Sequence, residues 1–469
     1  MRAKANYILF VLTLLFSQCS RTDIQHKPEN GLSRIETIKE NGVLKVVTDY
    51  NTTSYFIYRG QPMGFQFELL QNLADYLQVK LEVVANNSLD EKFDMLGKGE
   101  IDLIAVNLTV TKERREFLEF IEPHSQTRQV LVQRKPENWQ RMGKNELEAK
   151  LLTKHVELGG KTIYIQKNSS YEKRLFNLSD EIGDTIHVKI TDDGVEQLIE
   201  KVASGQIDYT VCDENIAIVN QSYYSNIDVS LPVSFPQNLA WAVAKGDMGL
   251  KAVVDEWLVE FKKTTKYAII YNKYFRNSRS STIAGSEYFT ISTGNISPYD
   301  QYIKEFSSQI NWDWRLVASM MYQESRFNEN ARSWAGAFGL MQMMPGTAER
   351  FGVDSASSAK AQIRAGIMFI QWLEKLFQEI PDPIERQKFV LASYNVGPGH
   401  VIDARNLASK NGKNPNIWTD NVDIYLLKKA EPEYYNDPVV KYGYCRGIET
   451  FKYVTDVVDR YEHYKNLVE

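Results

Sequence analysis

Residues Tyr322–Ala348 read YQESRFNENARSWAGAFGLMQMMPGTA. In the segment just upstream, WRLVASMM (314–321), Leu316, Val317, Met320 and Met321 fall at helical spacing and share one face. One turn further along that stripe stands Glu324. A carboxylate on an apolar face loses solvation when ionised, so its pKa is expected to rise. Such a group can hold a proton near neutral pH and donate it to a leaving oxygen. Spacing alone leaves a second reading open, in which Glu324 is a salt-bridged residue at the edge of the stripe.

The neighbouring segments bear on that choice. Gly336 and Gly339 are expected to let backbone approach a bound chain closely. Gln342 is a polar amide among Leu340, Met341 and Met343. In ASYNVGPG (392–399), Tyr394 and Asn395 fall at a helix end ahead of Gly397-Pro398-Gly399. In YCRGIETFKYV (444–454), a second carboxylate, Glu449, precedes Tyr453 by about one turn on a final helix expected to run from Lys441. Helices are also expected over Trp314–Phe327, Ala359–Ile380 and Pro383–Ser393, with no strands, giving a compact all-α domain.

With 469 residues, 43% hydrophobic and 25% charged, the chain is globular and long enough for two or three domains. A net charge of -5 gives no nucleic-acid footprint. The N-terminal MRAKANYILFVLTLLFSQCS pairs Arg2 and Lys4 with an apolar run, Tyr7–Phe16, too short to span a bilayer. Cys19 follows it. The other cysteines, Cys212 and Cys445, lie in separate modules, and no CxxC or His/Cys cluster exists, so neither a metal site nor a disulfide scaffold is indicated, and no cofactor is expected.

Between these ends the pattern is α/β. NGVLKVVTDY (41–50) reads as a strand. Phe67, Leu70, Leu73, Ala74 and Leu77 make a helix stripe, and KLEVV (80–84) is the next strand. LGKGEIDLIAVN (96–107) is echoed by VASGQIDYTVCD (202–213), so two similar units are expected to form two lobes around a cleft. The segment from Arg134 to Gly160 is read as a long crossing between them. RNSRSSTIAGSEYF (276–289) reads as a polar linker. The expected division is a signal segment over 1–19, a polar leader over 20–39, an α/β module over 40–276, a linker over 277–296 and an all-α domain over 297–469.

Three resemblances follow from these motifs. The N-terminus resembles a bacterial lipoprotein signal, which implies lipidation of Cys19. Ser20 after it implies the periplasmic face of the outer membrane, while simple cleavage or an uncleaved anchor stays open. MGFQFELLQNLADYL (63–77), GEIDLIAVNLTVTKERREFLEF (99–120) and GQIDYTVCDEN (205–215) resemble the type-3 periplasmic solute-binding proteins. The resemblance implies that Thr109 and Arg114 hold a ligand carboxylate, helped by Ser170 from the other lobe. Asp213 would take the ligand amine, the ligand being an amino acid or muropeptide. Glu324-Ser325, Gly339-Leu340-Met341-Gln342, Tyr394-Asn395 and Glu449-Thr450 with Tyr453-Val454, in that order, resemble the soluble-lytic-transglycosylase catalytic domain, a lysozyme-like fold.

That second domain implies cleavage of the MurNAc-β-1,4-GlcNAc bond of peptidoglycan without water, with Glu324 as acid and then base. Ser325, Gln342, Met344, Tyr394, Asn395, Glu449 and Tyr453 would bind the substrate or fix the site. A goose-type-lysozyme-like hydrolase and a sensor with a silent lysozyme-like appendage remain as alternatives.

Overall fold

The computed structural model describes residues 33–275, 290 and 294–468. The signal segment with Cys19, most of the leader and most of the linker lie outside the described residues. Among the described residues, no helix is long and apolar enough to cross a membrane.

The repeated strand–helix pattern folds into two sheets. In the first lobe the order is Lys80–Ala85, Val43–Thr48, Leu103–Thr109, Gln237–Ala244, Leu118–Phe120, with Ser125–Thr127 also on Gln237–Ala244. The first three strands are parallel, with Val46 opposite Val83, and Gln237–Ala244 runs antiparallel to Leu103–Thr109. Leu103–Thr109 is buried almost throughout. That is why it reads as an apolar run rather than an alternation. The predicted stripe forms the helix Phe65–Leu77, which covers one face of this sheet. In the second lobe the order is His187–Thr191, Thr162–Gln166, Tyr209–Asp213, Gln129–Arg134, Ile227–Asp228.

The crossings between lobes are short, because one sheet ends at Thr127 and resumes at Gln237 while the other begins at Gln129. The segment 134–160 is therefore not the crossing expected from sequence. It is an excursion of the second lobe between Gln129–Arg134 and Thr162–Gln166, carrying the short helix Lys144–Glu148. The lobes meet through several polar bonds. Thr52 N–H donates to both oxygens of Glu196 (3.2 and 3.0 Å), Arg114 Nη2 donates to Asn168 O (3.0 Å) and Ser170 Oγ to Thr109 Oγ1 (3.1 Å).

The C-terminal domain is helical as predicted, built on Asp300–Ser307, Trp314–Ser325, Ala359–Leu376, Pro383–Val396, Pro398–Lys410 and Gly447–Leu467. Starts follow local chemistry. Ser358 Oγ accepts from Ala361 N–H, and Asp382 accepts from Ile384 N–H ahead of Pro383. The last helix begins at Gly447, not Lys441, because residues 441–446 form a turn whose amides bond elsewhere.

The two modules share a core. The terminal helix packs on the hairpin Phe56–Tyr58/Gln61–Met63 of the first lobe as well as on the Trp314–Ser325 helix. Tyr464 Oη donates to Gly60 O (2.6 Å), Tyr55 Oη is 2.7 Å from His463 Nδ1, Tyr322 Oη donates to Gln61 Oε1 (2.5 Å), and Lys80 pairs with Asp459 (2.8 Å). Gly60 holds φ +75° at the hairpin tip, where a Cβ would meet Phe327, Tyr322 and Tyr464 within 2.8 Å. Glycine is required there by both conformation and space.

Candidate active site

Glu324 sits in the last turn of the helix Trp314–Ser325. Leu316, Val317, Met320 and Met321 are all buried, so the stripe that predicted a core face makes one. The terminal helix lies alongside, held by Ser319 Oγ donating to Val457 O (2.7 Å) and Arg460 Nη2 donating to Gln323 Oε1 (2.9 Å). After Ser325 the chain turns sharply through Arg326 and Phe327, both at positive φ (+52° and +63°). Two successive non-glycine residues in that region mark a strained turn directly behind the carboxyl.

Tyr453 Oη donates to Glu324 Oε1 at 2.6 Å. Burial pushes the Glu324 pKa up to about 7, while the Tyr453 hydrogen bond pulls it down. Burial outweighs the bond, leaving a carboxyl that changes charge near neutrality. At the end of Pro383–Val396, burial, and after it the charge of Glu324, raises the Tyr394 phenol well above the ordinary value. Tyr394 Oη donates to Met341 O (2.8 Å), and its ring lies 4.9 Å from that of Phe369. Asn395 is exposed and its Oδ1 accepts from buried Thr450 Oγ1 (2.7 Å), which ties the Tyr-Asn turn to the terminal helix one turn before Tyr453.

The remaining motif residues fall into different places. Gln342, at φ +44°, donates its amide to Ala331 O (3.1 Å) and Gly339 O (2.8 Å), so that nitrogen braces its own loop. Gly339 is close-packed against Gln362, whose Oε1 accepts from Leu340 N–H (2.8 Å), while a Cβ on Gly336 would meet nothing within 4 Å. The two glycines therefore serve turn geometry and loop packing. Ser325 is buried and bonds back to Met321 O (3.2 Å). Met344 is exposed, capping the helix Pro345–Arg350. Glu449 is 68% exposed and pairs with Arg446 (3.1 Å), so it reaches no other motif residue by hydrogen bond.

In the front module, Thr109, Arg114, Ser170 and Asp213 converge at the interface of the lobes. Arg114 is buried, donates Nη1 to Thr109 O (2.9 Å), and has its pKa lowered to about 10 by burial. Buried Asp213 leaves Oδ1 without a hydrogen-bond partner among the described residues, and burial pushes its pKa up to about 7 against the opposing pull of Arg114. Gln129 Nε2 donates to Ser170 Oγ (3.0 Å) and Gln237 Oε1 (3.1 Å). Gln129 and Glu196 were missed from sequence, since each is one polar residue among several in an element whose pattern says only strand or helix. Among the described residues, no cluster of His, Cys, Asp or Glu could hold a metal.

Residues 44–277 match the family described as bacterial extracellular solute-binding proteins, family 3, and residues 301–417 match the transglycosylase SLT domain. Among solved structures, an ancestral arginine-binding protein bound to arginine is 26% identical, covers 50% of this chain and 98% of its own, and superposes with a TM-score of 0.42. Two relatives named membrane-bound lytic murein transglycosylase F span nearly the whole chain. That of Pseudomonas fluorescens is 32% identical, over 92% of this chain and 86% of its own length. That of Desulfosudis oleivorans is 33% identical, over 91% of this chain and 90% of its own. With both modules matched in the same order and that identity sustained across them, the chain belongs to the membrane-bound lytic murein transglycosylase F family: a peptidoglycan lytic transglycosylase carrying a solute-binding-like module ahead of its catalytic domain.

Proposed function

We propose that Glu324 is both acid and base in a non-hydrolytic cleavage of the MurNAc-β-1,4-GlcNAc bond. The observation that carries this reading is one burial-raised carboxyl, near 7, held by a tyrosine, with no second motif carboxylate bonded beside it. Protonated Glu324 gives its proton to the glycosidic oxygen as the C1–O bond breaks. The resulting carboxylate then takes the proton of the MurNAc C6 hydroxyl, whose oxygen attacks C1 and closes the 1,6-anhydro ring. The two proton transfers are sequential, so one group suffices. A glycosidase working through two carboxylates needs the second at a defined separation across the bond, and solvent-facing Glu449, paired with Arg446, does not favour that arrangement.

Tyr453 orients the acid, Tyr394 and Asn395 bind the sugar around the bond, Met344 and the loop braced by Gln342 hold it further, and Ser325 fixes the end of the helix that carries Glu324. Digesting sacculi with wild-type and Glu324→Gln protein, and weighing the products, tests the reading. Anhydro ends are one water lighter than reducing ends. Reducing ends from the wild type would make the enzyme a hydrolase.

The division proposed is a solute-binding-like module over 40–276 and a catalytic domain over 297–469, joined by 277–296. The front module takes a zwitterion, an amino acid or murein stem peptide. Arg114, Thr109 and Ser170 hold its carboxylate and Asp213 its ammonium. The buried Asp213 Oδ1, without a hydrogen-bond partner among the described residues, supports this, because such an oxygen costs free energy until a donor meets it. The chain is held at the periplasmic face of the outer membrane through lipidated Cys19, a reading supported by the apolar segment and cysteine at its start. Replacing Cys19 with Ser after signal removal should release the protein in high salt. Retention with the membrane would point to another anchor.

A further inference from the structure

The turn 441–446, read from sequence as helix, carries two exposed tyrosines, Tyr442 at 59% and Tyr444 at 58%. The rings are solvent-facing, yet the backbone beneath them is fixed from inside. Lys441 N–H and Tyr442 N–H donate to the two carboxylate oxygens of Asp403 (both 2.9 Å), and Cys445 N–H donates to Lys429 O (3.2 Å). Asp403 and Lys429 form a fully buried ion pair at 2.7 Å, and Lys429 Nζ also lies 3.1 Å from His400 Nδ1. Desolvating two charges is expensive and is offset only when the remaining hydrogen-bonding capacity is filled. Here much of that capacity is filled by the backbone of the turn.

The ring of Tyr442 lies on Gly399, where a Cβ would come within 2.6 Å of it. Gly399 is four residues beyond Asn395, in the first turn of Pro398–Lys410. The ring of Tyr444 stands edge-on to that of Tyr435, with centroids 5.9 Å apart. A continuous path therefore leads from Glu324 to Tyr453, along one turn of the terminal helix to Thr450, across to Asn395, and through the Gly397–Gly399 turn to Tyr442.

We infer that Tyr442 and Tyr444 form an aromatic shelf that binds the glycan strand beyond the cleaved bond. Each ring offers an apolar face to the C–H face of a pyranose, and each phenol offers a hydroxyl to sugar hydroxyls or N-acetyl groups. Because the backbone is locked in advance, little ordering cost falls on binding. The occupant is the glycan because the Tyr442 ring rests on Gly399, four residues beyond exposed Asn395, which the proposed function places at the sugar. This inference rests on the reading of Glu324 as the murein-cleaving group.

The test is steady-state turnover by the full-length enzyme on glycan strands of defined length. For Tyr442→Ala and Tyr444→Ala, KM for long strands should rise about 10-fold, with kcat retained and KM for the shortest cleavable strand unchanged. Gly399→Ala, which leaves both tyrosines in place but displaces the Tyr442 ring, should reproduce the length-dependent KM. Tyr444→Ala does not touch the Gly399 turn, so it remains informative if Tyr442→Ala lowers the melting temperature. Unchanged KM on long strands, or kcat falling equally at every length, would overturn the shelf. Glu324→Gln run in parallel separates the two readings, since it should lose turnover at every length whether or not the shelf exists.

Discussion

Glu324 in the helical domain and Asp213 between the lobes are the same functional group moved the same way. Burial raises each to about 7, and in each a neighbour opposes the rise, Tyr453 in one case and the more distant Arg114 in the other. The surroundings differ. Glu324 has one oxygen fixed by a phenol at 2.6 Å and sits above a strained turn. Asp213 has an oxygen with no hydrogen-bond partner among the described residues and stands at the N-cap position of the helix Glu214–Gln221, at the seam of two sheets, without a side-chain cap bond. A proton held near neutrality is therefore not by itself a sign of catalysis. In the function proposed, the first site gives its proton up and takes one back, and the second exchanges its proton for a cation.

The largest expected effect breaks the comparison on the catalytic side. Glu324→Gln keeps shape and polarity but cannot exchange a proton, so turnover of murein should fall at least about 100-fold. Circular dichroism should show the fold retained. Turnover near the wild-type rate would remove Glu324 from its role.

On the binding side, Arg114→Ala should weaken a zwitterionic ligand by at least about 30-fold, the low end for truncating one partner of a buried charge pair. Calorimetry of the soluble full-length protein with amino acids and muropeptides measures it. The same titration sharpens the contrast. An ammonium beside Asp213 favours the ionised form, so binding below pH 7 should release a proton, and the release should fade above pH 7 where Asp213 is already charged. Equal proton release at pH 6 and pH 8 would dissociate Asp213 from the ligand.

Tyr453→Phe removes the hydrogen bond that lowers the Glu324 pKa. The acid should then stay protonated to higher pH, shifting the alkaline limb of the kcat profile upward, with a loss in kcat of about 10-fold from poorer orientation. A limb that stays in place would mean that another group sets it.

The smallest effect concerns stability. Folding raises the Glu324 pKa from 4.5 to about 7, so the folded state holds that proton more tightly than the unfolded one. Its contribution is full below pH 4.5 and is lost as pH rises to about 7. Glu324→Gln has no charge to bury. Its melting temperature should exceed that of the wild type by a few degrees at pH 8, with the gap closing below pH 4.5. A gap independent of pH would contradict the burial argument.

Local periodicity made much of this molecule legible. The stripe Leu316, Val317, Met320, Met321 set Glu324 on a helix face, and the echo of LGKGEIDLIAVN in VASGQIDYTVCD showed two like units, because side chains three or four apart in a helix, or alternating along a strand, share a face whatever the rest of the chain does. Ordered motifs were enough to gather Glu324, Tyr394, Asn395 and Tyr453, and to bring Arg114 to Asp213. Contacts between segments far apart in the chain were not legible. Only the tertiary structure turned Glu449 to solvent and spent the Gln342 amide on its own loop. It alone placed the crossings at 127–129 and 234–237, delayed the start of the last helix to Gly447 because Asp403 claims the amides of Lys441 and Tyr442, and set the Gly60 hairpin under Tyr322 and Tyr464. Each of those outcomes depends on which buried polar group finds a partner, and a partner hundreds of residues away leaves no periodic trace in the sequence.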